Sequence, residues 1–76
     1  MSAHTEVLWS LRKDGGRLSF LLTDLETGGV ELKLIRSDVE SRSVQLFRSR
    51  KEAMTEAERE LLSHVASGWA IDTDRR

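Results

Sequence analysis

Apolar and polar residues alternate along the first half of the chain, and the spacing becomes helical in the second half. Within residues 6–12, Val7, Trp9 and Leu11 fall on one face and Leu8, Ser10 and Arg12 on the other, the two-residue period of a half-buried strand. The segment Lys13-Asp14-Gly15-Gly16-Arg17 follows. Either Asp14-Gly15 or Gly15-Gly16 can supply the two positive φ angles of a tight hairpin turn. Residues 17–24 alternate again, and both turns place Leu18, Phe20 and Leu22 on the Trp9 face.

The next break, Asp24-Leu25-Glu26-Thr27-Gly28-Gly29, accommodates a three-residue loop, Glu26 to Gly28, with Gly28 as a bulge glycine. That loop sets Leu22 opposite Leu32 and Phe20 opposite Leu34. A third strand from about Val30 to Arg36 then points Val30, Leu32 and Leu34 inward and Glu31, Lys33 and Ile35 outward. After the polar turn Ser37–Ser43, a short fourth strand over Val44–Phe47 is expected. The pattern leaves its facing open: Val44 and Leu46 compete with Phe47 for the core, and a bulge or bend before the helix would satisfy all three.

From Ser49 onward the period is 3.6 residues. Ser49-Arg50-Lys51-Glu52 is a capping box, in which the Ser49 hydroxyl accepts from the Glu52 amide and the Glu52 carboxylate reaches back to the Ser49 amide. A helix is predicted from about Arg50 to Ser67, with Ala53, Met54, Ala57, Leu61 and Val65 on its apolar arc and His64 and Leu62 at the flanks. Small Ala53 and Ala57 allow close approach to a sheet. Gly68 suits the left-handed position that ends a helix, and Trp69 beyond it can fold back on the last turn. An antiparallel meander of three to four strands with one C-terminal helix over its apolar face is a two-layer α+β fold.

The chain has 76 residues, 38% hydrophobic, and a formal net charge of −1. This length predicts one domain over 1–76, with an ordered core at about 6–70 and loosely held ends, and a core of modest size. Cysteine is absent, which excludes disulfides, thiolate metal sites and thiol catalysis. The N-terminal stretch has neither the basic segment nor the apolar run of a signal peptide, and no apolar run approaches a membrane span, so a cytoplasmic protein is expected.

Candidate chemistry is sparse. His4 and His64 are the only histidines. His64 follows Glu60 by four residues, a helix-surface pairing, but no nucleophile is placed to complete a catalytic set. Glu52, Glu56 and Glu60 share a helix face and read as a solvated charged stripe. Neither Gly15-Gly16 nor Gly28-Gly29 has phosphate-loop spacing. No catalytic, metal or cofactor-binding residue is assigned, and an enzyme is not expected.

Two binding readings follow. Leu8, Leu21 and Ile35, forced outward by the alternation, would form a small apolar patch on the face away from the helix. That patch suits a protein partner or a second copy in a weak homodimer, and the edge strands offer strand addition as another mode. The alternative is DNA or RNA binding through Arg12, Lys13 and Arg17 at the first hairpin and Arg42, Arg48, Arg50 and Lys51 around the helix start. The negative net charge and the lack of stacking aromatics on the outward face weigh against it.

The run Phe47-Arg48-Ser49-Arg50-Lys51-Glu52-Ala53, together with Gly68-Trp69, resembles a layout seen in small uncharacterised bacterial proteins. In these a β-meander leads through a phenylalanine and a capping serine into one helix that closes on Gly-Trp. The likeness spans about Trp9 to Trp69. It implies a compact accessory protein and supplies no catalytic residue.

Overall fold

A computed structural model describes residues 4–38 and 41–72. The elements are β1 (His4–Lys13), β2 (Gly16–Asp24), β3 (Val30–Arg36), β4 (Ser41–Phe47), α1 (Arg50–Ala66) and β5 (Ala70–Ile71). All strand pairs are antiparallel and the sheet order is β4-β3-β2-β1-β5. The α+β meander with a C-terminal helix is therefore present, with one strand more than the alternation indicated. The fifth strand is only two residues long, too short to carry a pattern.

The first hairpin turns at Asp14 and Gly15, both with positive φ (50° and 84°). Two such residues match the right-handed twist of the flanking strands. In the second hairpin, Leu25 N donates to Gly29 O at 2.9 Å and Gly28 N to Leu25 O at 3.0 Å. The register pairs Leu22 with Leu32 and Phe20 with Leu34, as the loop length requires.

The first strand departs from simple alternation. Val7 pairs with Leu21 and Trp9 with Phe20, leaving Leu8 as an extra residue in a β-bulge. The bulge reverses the parity of everything before it. Val7, expected inward, is on the open face at 61% exposure, whereas Leu8, expected outward, packs against the core with Trp9. Three consecutive apolar residues cannot all serve one face of a regular strand, and the bulge resolves the conflict. The fourth strand resolves its own without one. Its register with β3 is unbroken, Phe47 pairs with buried Val30 and packs on the core, and Val44 and Leu46 point outward.

Helix α1 starts where the period changes. Ser49 is the N-cap, accepting from Glu52 N at 3.2 Å. The Glu52 carboxylate accepts from the Arg48 amide at 3.3 Å, not from that of Ser49 as the capping-box pattern implies. At the other end Trp69 N donates to His64 O and Gly68 N to Val65 O, with Gly68 at φ 105°. These are the paired bonds of a Schellman termination. The buried stripe runs through Ala53 and Ala57 to His64 and does not include Val65, which is exposed. The helix is rotated toward His64 because that ring contacts both Phe20 and Trp69 edge-on, each centroid 6.2 Å away.

The core consists of Leu11, Leu18, Phe20, Leu22, Val30, Leu32, Ala53, Ala57 and Trp69, with Leu8, Trp9, Leu34, Phe47, Met54 and Leu61 packed around it. Trp69 is 6% exposed, so the residue just beyond the Gly68 termination is a core residue. The loosely held ends expected from sequence concern residues 1–3 and 73–76, which lie outside the described residues, and a few positions that are in strands. Thr5, within β1, shares a 2.8 Å hydrogen bond with Thr23, and Asp72 N donates to Ser10 O at 2.8 Å just past β5.

Candidate functional site

The helix covers one face of the sheet, and among the described residues no element covers the other. Pairing and alternation assign that open face row by row. One row runs Val7–Leu21–Lys33–Val44 across the four long strands, the next Ser10–Ser19–Ile35–Arg42, and a third Thr5–Thr23–Glu31–Leu46. Five aliphatic residues therefore share the face: Val7, Leu21, Ile35, Val44 and Leu46. Leu21 and Ile35, on central strands, are half-buried by their neighbours. Exposure is higher toward both sides of the sheet, with Val7 61%, Val44 47% and Leu46 69% exposed.

Of the interface residues expected from sequence, Leu21 and Ile35 lie on this face and Leu8 does not; the bulge puts Val7 in its place. Val44 and Leu46 were legible only if Phe47 was known to point inward. That choice depends on the helix following directly, which carries the Phe47 side chain toward the core.

The basic residues divide between the two ends of the sheet. Arg12 and Arg17 pair directly across β1 and β2 on the open face, and the Asp72 carboxylate reaches both, at 3.3 and 3.7 Å. Arg42 lies on the same face near the same end. Lys13 faces the helix side, where its ammonium donates to the Ser67 carbonyl at 2.9 Å. Arg48, Arg50 and Lys51 lie at the opposite end, about 20 Å away for six strand residues. There Arg50 is ion-paired with Glu6 at 2.9 Å and with Asp24 at 3.8 Å. Arg48 and Lys51 are exposed and make no ion pair among the described residues.

A pocket of about 260 Å³ opens on the helix side, with Leu34, Ser43 and Gln45 from the sheet and Glu60 and His64 from the helix. His64 Nδ1 lies 2.8 Å from the Glu60 backbone carbonyl and 3.8 Å from its carboxylate. The ring makes no hydrogen bond to a hydroxyl among the described residues. Arg36, at the rim, donates two hydrogen bonds to the Asp38 carboxylate, at 3.0 and 2.6 Å, and lies 5.2 Å from the Trp69 ring centre. Hydrogen bonding to the Asp38 carboxylate raises the Arg36 pKa above the ordinary guanidinium value. His4 is the exposed first residue of β1. Among the described residues no three His, Cys, Asp or Glu side chains group as metal ligands, and no helix is long and apolar enough to cross a membrane. The chain matches no family model, no curated protein and no solved structure.

Proposed function

We propose that this chain is a small non-enzymatic protein-interaction or regulatory module that acts from the cytoplasm and self-associates as a weak homodimer. The observation carrying this reading is the uncovered set Val7, Leu21, Ile35, Val44 and Leu46. Aliphatic side chains grouped on an uncovered face are the kind of surface through which proteins meet partners. Covering each one fully is worth at most about 1.5–3 kcal/mol. Association itself costs roughly 4–15 kcal/mol, and Glu31 and Lys33 must be desolvated or left at the rim. The balance favours a weak, concentration-dependent dimer.

Sedimentation equilibrium across the micromolar to millimolar range tests this directly. Reversible association is expected below about 1 mM, the concentration equivalent to about 4 kcal/mol of binding. A protein that stays monomeric throughout that range overturns the reading.

A second reading, nucleic-acid binding, draws support from one arrangement: Arg12, Arg17 and Arg42 share one end of the open face. Asp72 bridges the first two, and Arg48, Arg50 and Lys51 lie too far away to extend the same footprint. Fluorescence anisotropy with labelled DNA and RNA at low salt separates the readings. Binding that weakens steeply with added salt supports contact with phosphates.

A further inference from the structure

We infer that the homodimer forms edge to edge, with β4 of one copy pairing antiparallel to β4 of a second about a two-fold axis at Val44. This rests on the self-association reading above and narrows it to the β4 edge, so that Val44 and Leu46 enter the contact while Val7, Leu21 and Ile35 stay outside it.

The two sheet edges differ in their protection. On the β1 side, the Leu8 bulge interrupts one half of the strand, while β5 pairs with Leu11 and Arg12 and Asp72 N bonds Ser10 O. Bulges and short covering strands are the usual devices that keep an edge from pairing with another chain. Among the described residues the β4 edge has neither. It is seven residues long, its register with β3 is continuous, residues 42–46 are all exposed, and its only charged residue is Arg42.

The backbone groups presented at that edge follow from the ladder. Ser37 N donates to Arg17 O at 2.8 Å, so odd-numbered β3 residues bond β2 and even-numbered ones bond β4. Through the pairs Leu32–Gln45 and Leu34–Ser43, residues 43 and 45 of β4 are turned toward β3. The N–H and C=O groups of Arg42, Val44 and Leu46 consequently face outward.

An antiparallel pair centred on Val44 matches this set to itself. Val44 meets Val44 of the second copy, and Arg42 meets Leu46 in both directions. All three are hydrogen-bonded pairs, about six new backbone bonds. Ser43 meets Gln45 on the helix side, where each can donate to the other. No like charges face one another, and the Arg42 stem lies over Leu46. The most exposed aliphatics of β4 are thereby covered, and the two open faces merge into one continuous sheet. Seven residues at 3.3 Å each span only about 23 Å, so the contact is small, in keeping with weak association.

Charge exchange on the helix side of β4 tests the pairing without altering the open face. In Ser43→Lys/Gln45→Lys, lysines oppose lysines twice across the axis; in Ser43→Glu/Gln45→Glu, carboxylates oppose carboxylates. Each double variant should fold, shown by unchanged far-ultraviolet circular dichroism, and should dimerise at least about tenfold more weakly than wild type. An equimolar mixture should recover association as a one-to-one heterodimer. Ile35→Glu, on central β3, should leave dimerisation unchanged. If both double variants associate like wild type while Ile35→Glu is monomeric, edge pairing is overturned and face-to-face self-association stands. If the mixture fails to recover association, edge pairing is likewise overturned. A wild-type protein that never associates removes the homodimer reading itself.

Discussion

Trp9 stands edge-on against Phe20, ring centroids 5.5 Å apart and planes at 80°, and it arrives there because the residue before it, Leu8, has no partner across the strand pair. Edge-to-face aromatic pairs contribute about 0.5–1.5 kcal/mol beyond the area they bury. Keeping that contact while Val7 pairs with Leu21 requires one unpaired residue between them. One bulge thus decides which of two adjacent aliphatic residues meets water.

Glutamate substitutions at these two neighbours should therefore differ in the sense opposite to plain alternation. Val7→Glu places a carboxylate on an exposed position and should change unfolding stability by no more than about 0.5 kcal/mol. Leu8→Glu forces a charge against the core and should cost at least about 2 kcal/mol. Urea denaturation of both variants gives the comparison. Equal midpoints would mean that Leu8 is not packed as described.

The helix ends each have one residue whose chemistry cannot be replaced by alanine. Ser49→Ala removes the acceptor of the Glu52 amide and should cost about 1 kcal/mol, within roughly 0.5–2. Gly68→Ala should cost about 1–2 kcal/mol, the price of a side chain in the left-handed region. Crowding adds little there, since an added Cβ would lie 3.5 Å from Lys13 Cε, an ordinary contact. Chemical denaturation at one pH measures both, and variants as stable as wild type would show that the caps contribute nothing.

The fit between helix and sheet depends on Ala57, which is fully buried. Ala57→Leu should push the helix away from the sheet and destabilise by about 1–3 kcal/mol, whereas Ala66→Leu, at an exposed position of the same helix, should be nearly neutral. Thermal melts followed at 222 nm compare them. If the two variants melt together, the helix does not lie against the sheet at Ala57.

The hairpins, the period change near Ser49 and both helix caps were legible in the chain because each is local. A tight turn needs positive φ, a first helical turn needs an acceptor, a last turn needs a left-handed residue, and each requirement selects particular residue types within a few positions. The inward sets Leu18, Phe20, Leu22 and Val30, Leu32 followed as well, since a strand joined by a short turn inherits its neighbour's parity. The open-face positions Leu21 and Ile35 were legible for the same reason.

The remaining features depended on contacts between residues distant in sequence. Whether Val7 or Leu8 turns outward depends on Trp9 meeting Phe20. The inward choice of Phe47 over Leu46 depends on where the helix must begin, and His64 displaces Val65 from the buried stripe because Phe20 and Trp69 surround its ring. The two-residue β5 exists only because the Schellman turn and buried Trp69 return the chain alongside β1, where Asp72 meets Arg12 and Arg17. Sequence by itself determined the elements and their order, through turn geometry and periodicity. Tertiary structure alone decided which edge is guarded and which side chains stay exposed, because parity, once broken by a bulge, is set by packing across the sheet.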